Sequence, residues 1–231
     1  LEGMWRSSDG GRTWANIGLQ NTRHITNIII HPDNPDIVWV SVSGHLFGPD
    51  ENRGVYKTID GGKTWKKVLY SDNPQAGAID LVMEPGNPQT LYATTWHVIR
   101  TPYSMESGGE GSALWKSTDG GETWTNLMVK KGMPKNETIG IIGVTVSATN
   151  PDKVYAIIEC KSKGLYMSSD GGETWTKQTD NADVCQRSWY FYKVFCDPKN
   201  ENRVYVLNVS MLRSNDGGKT FEEINTPHGD H

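Results

Sequence analysis

Apolar and polar residues alternate along this chain in short runs, and the alternation returns in the same phase. GMWRS (3–7), GVYKT (54–58), ALWKS (113–117), GLYMS (164–168) and SMLRS (210–214) each place large apolar side chains between small or charged ones. Successive residues of a strand face opposite ways, so these runs predict half-buried β-strands. Each runs into an octapeptide built on Asp-Gly-Gly: SSDGGRTW, TIDGGKTW, STDGGETW, SSDGGETW and SNDGGKTF. Asp-Gly-Gly predicts a hairpin, because glycine accepts positive φ at little steric cost. A second run leaves the hairpin (TWANI, TWKKV, TWTNL, TWTKQ, TFEEI). Upstream lie two more strands joined by an Asn- and Pro-rich turn, as in ITNIIIH-PDNP-DIVWVSV. Proline fixes φ and biases the residue before it toward extended backbone, which suits that turn.

The unit is therefore strand A, an Asn-Pro turn, strand B, a variable loop, strand C, the Asp-Gly-Gly hairpin and strand D. No segment predicts a helix. The box aspartates are Asp9, Asp60, Asp119, Asp170 and Asp216, spaced 51, 59, 51 and 46 residues apart. A period near ~50 residues holding four strands is that of a propeller blade. The expected architecture is an all-β propeller of four-stranded antiparallel blades: a half-blade at 1–19, blades at about 24–70, 77–129, 138–179 and 188–225, and a tail at 226–231. Four and a half blades leave both ends open, whereas a propeller protects its edges by closing on itself. The expectation is thus an incomplete ring, with the remaining blades in a longer chain.

Five copies argue that the octapeptide is a fastener and not a catalytic centre. Its carboxylate is expected to accept hydrogen bonds from its own turn. The closing aromatic (Trp14, Trp65, Trp124, Trp175 or Phe221) is expected to pack between neighbouring sheets. A calcium loop wants several oxygen ligands at alternate positions; each loop here offers one carboxylate, so neither metal nor cofactor is expected.

These motifs resemble the Asp-box, or bacterial neuraminidase repeat. It is found in sialidases, xyloglucanase-type glycoside hydrolases, photosystem assembly factors and sortilin-type receptors. The resemblance covers nearly the whole chain and is nearest to bacterial sortilin-like and xyloglucanase-like repeat proteins. It implies the propeller fold and leaves activity open, since one fold hosts many functions. The sialidase branch implies an Arg-Ile-Pro motif, which does not occur in this sequence.

The composition narrows the partners. The 231 residues carry a net charge of −4 with no basic stripe, which argues against nucleic acid. No apolar run approaches the ~18 residues of a membrane span. A bacterial secreted, periplasmic or cell-surface location is expected, with a glycan or peptide as ligand. Three cysteines (Cys160, Cys185 and Cys196) leave a Cys185–Cys196 pair open.

Function is expected in the B–C and D–A loops, where the chain departs from its own repeat. These supply His45, Phe47, Arg53, Trp96, His97, Arg100, Tyr103, Arg187 and Trp189 as ligand-binding candidates. A binding or scaffold module is the first reading. The alternative is a glycoside hydrolase of the xyloglucanase or sialidase-like type, with part of its active site elsewhere. Hydrolysis needs two carboxylates about 5–10 Å apart, and the stock is Asp50, Glu106, Glu110 and Glu159.

Overall fold

The computed structural model describes residues 2–231. The half-blade is a two-stranded sheet, β1 (Trp5–Arg6) and β2 (Ala15–Asn16). Blade 1 is β3 (Ile25–Ile30), β4 (Val38–Val42), β5 (Gly54–Thr58) and β6 (Lys66–Leu69). Blade 2 is β7 (Ala76–Glu84), β8 (Asn87–Arg100), β9 (Met105–Ser107), β10 (Ala113–Ser117) and β11 (Thr125–Asn126). Blade 3 is β12 (Ile142–Val146), β13 (Val154–Ile158), β14 (Gly164–Ser168) and β15 (Thr176–Thr179). Blade 4 is β16 (Val194–Asp197), β17 (Asn200–Leu207), β18 (Met211–Ser214) and β19 (Glu222–Ile224). The strands within each sheet pair antiparallel; blades 1, 3 and 4 are meanders in chain order, whereas in blade 2 β8 lies between β7 and β10 and β9 pairs with the end of β8.

The blades pack face to face, and the core lies between them. Tyr92 and Leu114 of blade 2 meet Val144, Ala156 and Tyr166 of blade 3. Tyr155 and Leu165 of blade 3 meet Val204 and Leu212 of blade 4. The A strands β3, β7, β12 and β16 touch in succession along the inner edge.

Each box is a closed hydrogen-bonded corner. In blade 1 the Thr58 hydroxyl donates to Asp60 Oδ1 at 2.8 Å, and the Thr64 amide donates to the same oxygen at 2.9 Å. The Thr64 hydroxyl donates to Oδ2 at 2.6 Å. The Thr64 hydroxyl, then its amide and the Thr58 hydroxyl, pull the Asp60 pKa down to about 2. Gly61 and Gly62 sit at φ +73° and +90°, the left-handed region that the turn requires. The Gly61 amide donates to Asp36 O, tying the box to the A–B turn of its own blade at 2.9 Å.

Three expectations change. Two single 3₁₀ turns occur where no helix was expected, at Leu127–Val129 and Ala182–Cys185, each capped by an asparagine side chain. The long B–C segment after Trp96 is not an open loop: β8 continues to Arg100 and folds back through β9. Trp14 does not lie between sheets among the described residues: it is 59% exposed, and its indole Nε1 donates to Gly11 O at 3.1 Å. All three cysteines are free, so Cys185 and Cys196 do not pair.

Candidate functional site

The boxes and the A–B turns share one end of the blades. The B–C and D–A loops share the other, and the two most voluminous clefts fall there. One cleft, of about 440 Å³, is walled by the β8–β9 hairpin of blade 2 and by the segment that enters blade 4. The hairpin tip is a tight turn. The Thr101 amide donates to Ser104 O at 2.9 Å, and the Ser104 amide donates to the Thr101 hydroxyl at 2.9 Å. That closure leaves Tyr103 standing off the tip, 90% exposed. Arg100 lies at the hairpin base with Nη1 3.3 Å from Met105 Sδ.

The opposite wall is aromatic. Arg187 takes φ +43°, and its carbonyl accepts the Tyr190 amide at 2.8 Å and the Phe191 amide at 3.1 Å. The turn projects Trp189 and Tyr190 side by side, ring centroids 4.4 Å apart. Arg187 itself points elsewhere, with Nη1 3.9 Å from Asp230 Oδ1. Of the sequence candidates, Arg100, Tyr103 and Trp189 therefore meet in one cleft, and Tyr190 joins them. The run WYFY (189–192) held the signal for Tyr190: four successive aromatics in a loop are too many for one turn to bury.

Other candidates are occupied with holding loops. Arg53 is buried and donates to Gln75 O and, at 2.7 Å, to His45 O. Trp96 donates Nε1 to the Ser107 hydroxyl at 2.9 Å, and the His97 ring lies 2.7 Å from Asn73 Nδ2. Glu159 accepts the Ser107 hydroxyl at 2.5 Å and the Ile141 amide at 2.9 Å, pinning the hairpin to blade 3. Asp50 accepts the His45 amide at 2.8 Å and the Asn52 amide at 2.9 Å, which hold its carboxyl below the usual range although partial burial opposes them. Glu106 and Glu110 are exposed. Neither they nor any other carboxylate lines the aromatic cleft.

His45 and Phe47 line a second cleft of about 420 Å³ with Arg23 and Asp50, where Arg23 is paired to Glu2 at 2.7 Å. Among the described residues no group of three or more His, Cys, Asp or Glu side chains is placed to hold a metal ion.

Three residues on from Tyr190, Lys193 reaches a carboxylate that the sequence reading passed over. Asp80 on β7 is 3% exposed. It takes the Lys193 ammonium at 2.7 Å and the Val144 amide at 3.3 Å, so blades 2, 3 and 4 converge on it. The Tyr192 hydroxyl donates to Ile79 O alongside, at 3.4 Å. An aspartate in the otherwise apolar run AIDLVM was the available signal, since charge is rarely buried unless paired.

The family model described as "Sortilin, neurotensin receptor 3" matches residues 2–133, and the "BNR/Asp-box repeat" model matches residues 166–177. Among curated relatives, a xyloglucanase of Paenibacillus sp is 24% identical, over 94% of this chain and 20% of its own length. An oligoxyloglucan-reducing end-specific xyloglucanase of Emericella nidulans is 23% identical, over 87% of this chain and 24% of its own length. The chain thus spans about a quarter of the curated relatives it matches. An ancestral GH74 enzyme superposes with a TM-score of 0.70 at 16% identity, over 99% of this chain and 29% of that one. The GH74 xyloglucanase of Xanthomonas campestris gives 0.66 at 17% identity, over 98% and 35%. A Trypanosoma rangeli sialidase gives 0.51 at 16%, over 94% and 39%. The fold is that of these β-propellers.

Proposed function

The chain belongs to the sortilin family of Asp-box proteins, and from that premise we propose that it is a glycan-binding unit of a larger propeller, acting outside the cytoplasm. The observation that carries the reading is the cleft of Arg100, Tyr103, Trp189 and Tyr190. Exposed aromatic faces give a sugar ring an apolar surface to lie on. A cationic side chain at the edge supplies hydrogen-bond donors for hydroxyls, the mixture usual in ligand clefts. The xyloglucan named for several relatives gives the first ligand class to try. An extracytoplasmic setting goes with such a polysaccharide.

Hydrolysis is the second reading, favoured by those same relatives. Catalysis would need two carboxylates facing each other across the scissile bond. The lining of the aromatic cleft contains none, and Asp50 and Glu159 are occupied by backbone amides. This chain is therefore expected to bind xyloglucan oligosaccharides without cleaving them.

Isothermal titration with xyloglucan oligosaccharides tests this. Measurable binding that falls about tenfold in Trp189→Ala, as for a central aromatic anchor, is the expected result. Absence of binding, or equal binding by Trp189→Ala, would refute the cleft. Release of reducing ends by the chain alone would favour the hydrolase.

A further inference from the structure

Arg100 brings a positive charge to the aromatic cleft, and no carboxylate of the described residues neutralises it. The chain has eight arginines. Arg6, Arg23, Arg187, Arg203 and Arg213 each face a carboxylate at 3.9 Å or closer. Arg53 is bonded to backbone carbonyls. Arg12 is exposed in the box of the half-blade, at the other end of the blades. Arg100 is half-buried, and the one acceptor its guanidinium meets among the described residues is Met105 Sδ at 3.3 Å. A thioether sulfur accepts only weakly.

The hairpin itself creates this state. Arg100 pairs across it with Met105, so the position best placed to hold an acid holds a thioether. The acid of β9 is Glu106, one residue on, and successive side chains of a strand face opposite ways. Met105 and Ser107 line the cleft and Glu106 does not. Glu159 lies behind Ser107, its Oε2 taken by the Ser107 hydroxyl and the Ile141 amide. The Thr101 and Ser104 hydroxyls at the tip, which could accept, are bonded to each other at 2.6 Å. On the far wall the Trp189 indole, like the guanidinium, can only donate. The cleft thus sets donors and a full positive charge beside aromatic faces. A neutral sugar, whose hydroxyls both donate and accept, uses that set incompletely. A carboxylate is planar and accepts only, and it matches the guanidinium fork with two parallel bonds.

Resting on the glycan-binding reading above, we propose that the cleft selects an acidic saccharide: a uronate residue whose ring lies against Trp189 and Tyr190 and whose carboxylate is held by Arg100. The aromatic faces take the ring whatever its C6 carries, and Arg100 reads the carboxylate there. Half-burial strengthens that pairing, because the guanidinium already stands partly out of the solvent that would screen it. Both walls come from the interior of the chain, residues 100–107 and 189–190. Neutral saccharides still bind through the aromatic faces, with lower affinity.

Isothermal titration with two matched ligands tests the proposal: a cello-oligosaccharide, and the same oligosaccharide with its C6 hydroxymethyl groups oxidised to carboxylates. The oxidised ligand is expected to bind about tenfold more tightly at low salt, as for a charge-assisted bond. That preference is expected to shrink severalfold at ~1 M salt, where charges are screened within ~3 Å. In Arg100→Gln the two ligands are expected to bind alike. In Trp189→Ala both are expected to weaken about tenfold, with the preference kept. A parent chain that binds the two ligands equally overturns the inference and leaves the glycan reading standing, as does an Arg100→Gln chain that keeps the preference. A parent chain that binds neither these ligands nor xyloglucan oligosaccharides overturns the glycan reading, and the inference falls with it.

Discussion

Replacing Asp80 by alanine removes a carboxylate on which blades 2, 3 and 4 converge. The variant leaves the Lys193 ammonium without its partner and the Val144 amide without its acceptor. Breaking a buried ion pair from one side costs about 3–5 kcal/mol, because the surviving charge stays desolvated. Lys193 is 31% exposed at its side chain, so water relieves part of that penalty. The lost amide acceptor adds about 1 kcal/mol. The expected destabilisation is therefore about 2–3 kcal/mol, below the range for a fully buried pair. Urea unfolding followed by tryptophan fluorescence measures it, and Lys193→Met completes a double-mutant cycle. A coupling of about 1–2 kcal/mol is expected between the two sites. A loss under about 0.5 kcal/mol, the level of an ordinary surface substitution, or additive single effects, would refute the reasoning.

Two further outcomes follow from groups whose titration the fold displaces. The five box aspartates have pKa values drawn from 3.8 down to about 2. The threonine four residues on is the principal donor, and at Asp170 burial works against the shift and is outweighed. A depressed folded-state pKa contributes stability above 3.8 that is lost as pH falls toward 2, so the urea midpoint is expected to drop through that window; a midpoint constant from pH 4 to 2.5 would contradict it. Burial pushes Cys160 up to about 11 and both Cys185 and Cys196 up to about 12. Since the thiolate is the reactive form, an aromatic disulfide reagent is expected to titrate the three thiols in denaturant and to react slowly with the native chain, and rapid native labelling would contradict the burial.

The repeat made the blades readable because its parts are local. The Asp60 corner closes on Thr58 and Thr64, within seven residues of chain, so its chemistry is visible in the octapeptide. Strand phase is equally local. What could not be read is which way a loop side chain turns once its blade has neighbours. Arg53, Trp96 and His97 carry the chemistry of ligand groups, yet each is hydrogen-bonded to the protein itself. Arg100, Tyr103 and Trp189 have similar chemistry and remain at a cleft. The difference lies in contacts between distant segments, such as Glu159 with Ser107, which no spacing encodes. Asp80 illustrates the same limit: its partner is more than a hundred residues away.

Asp80 also ties the cleft to the core. Its two aromatic walls come from blades 2 and 4, with blade 3 between them. Their separation is fixed where β7 and the start of β16 bypass β12. Gly143 makes that passage possible: a Cβ there would lie 1.7 Å from Tyr192 O. Tyr192 and Lys193 fasten to Ile79 and Asp80 through the gap. Two and three residues before Tyr192 stand Tyr190 and Trp189, so the chain leaves its anchor and enters the cleft almost at once. On the other wall, Ala76 and Gly77 of β7 pair with His97 and Trp96 of β8, just ahead of the hairpin that carries Arg100 and Tyr103. The Trp189–Tyr190 wall is thus anchored close to the Asp80–Lys193 ion pair, and the hairpin wall rises from β8, which pairs with the strand that carries Asp80. A binding surface made of two mobile loops would lose affinity to the entropy of ordering them; under the proposed function, the Asp80–Lys193 pair behind one wall and the Glu159–Ser107 contact behind the other reduce that cost.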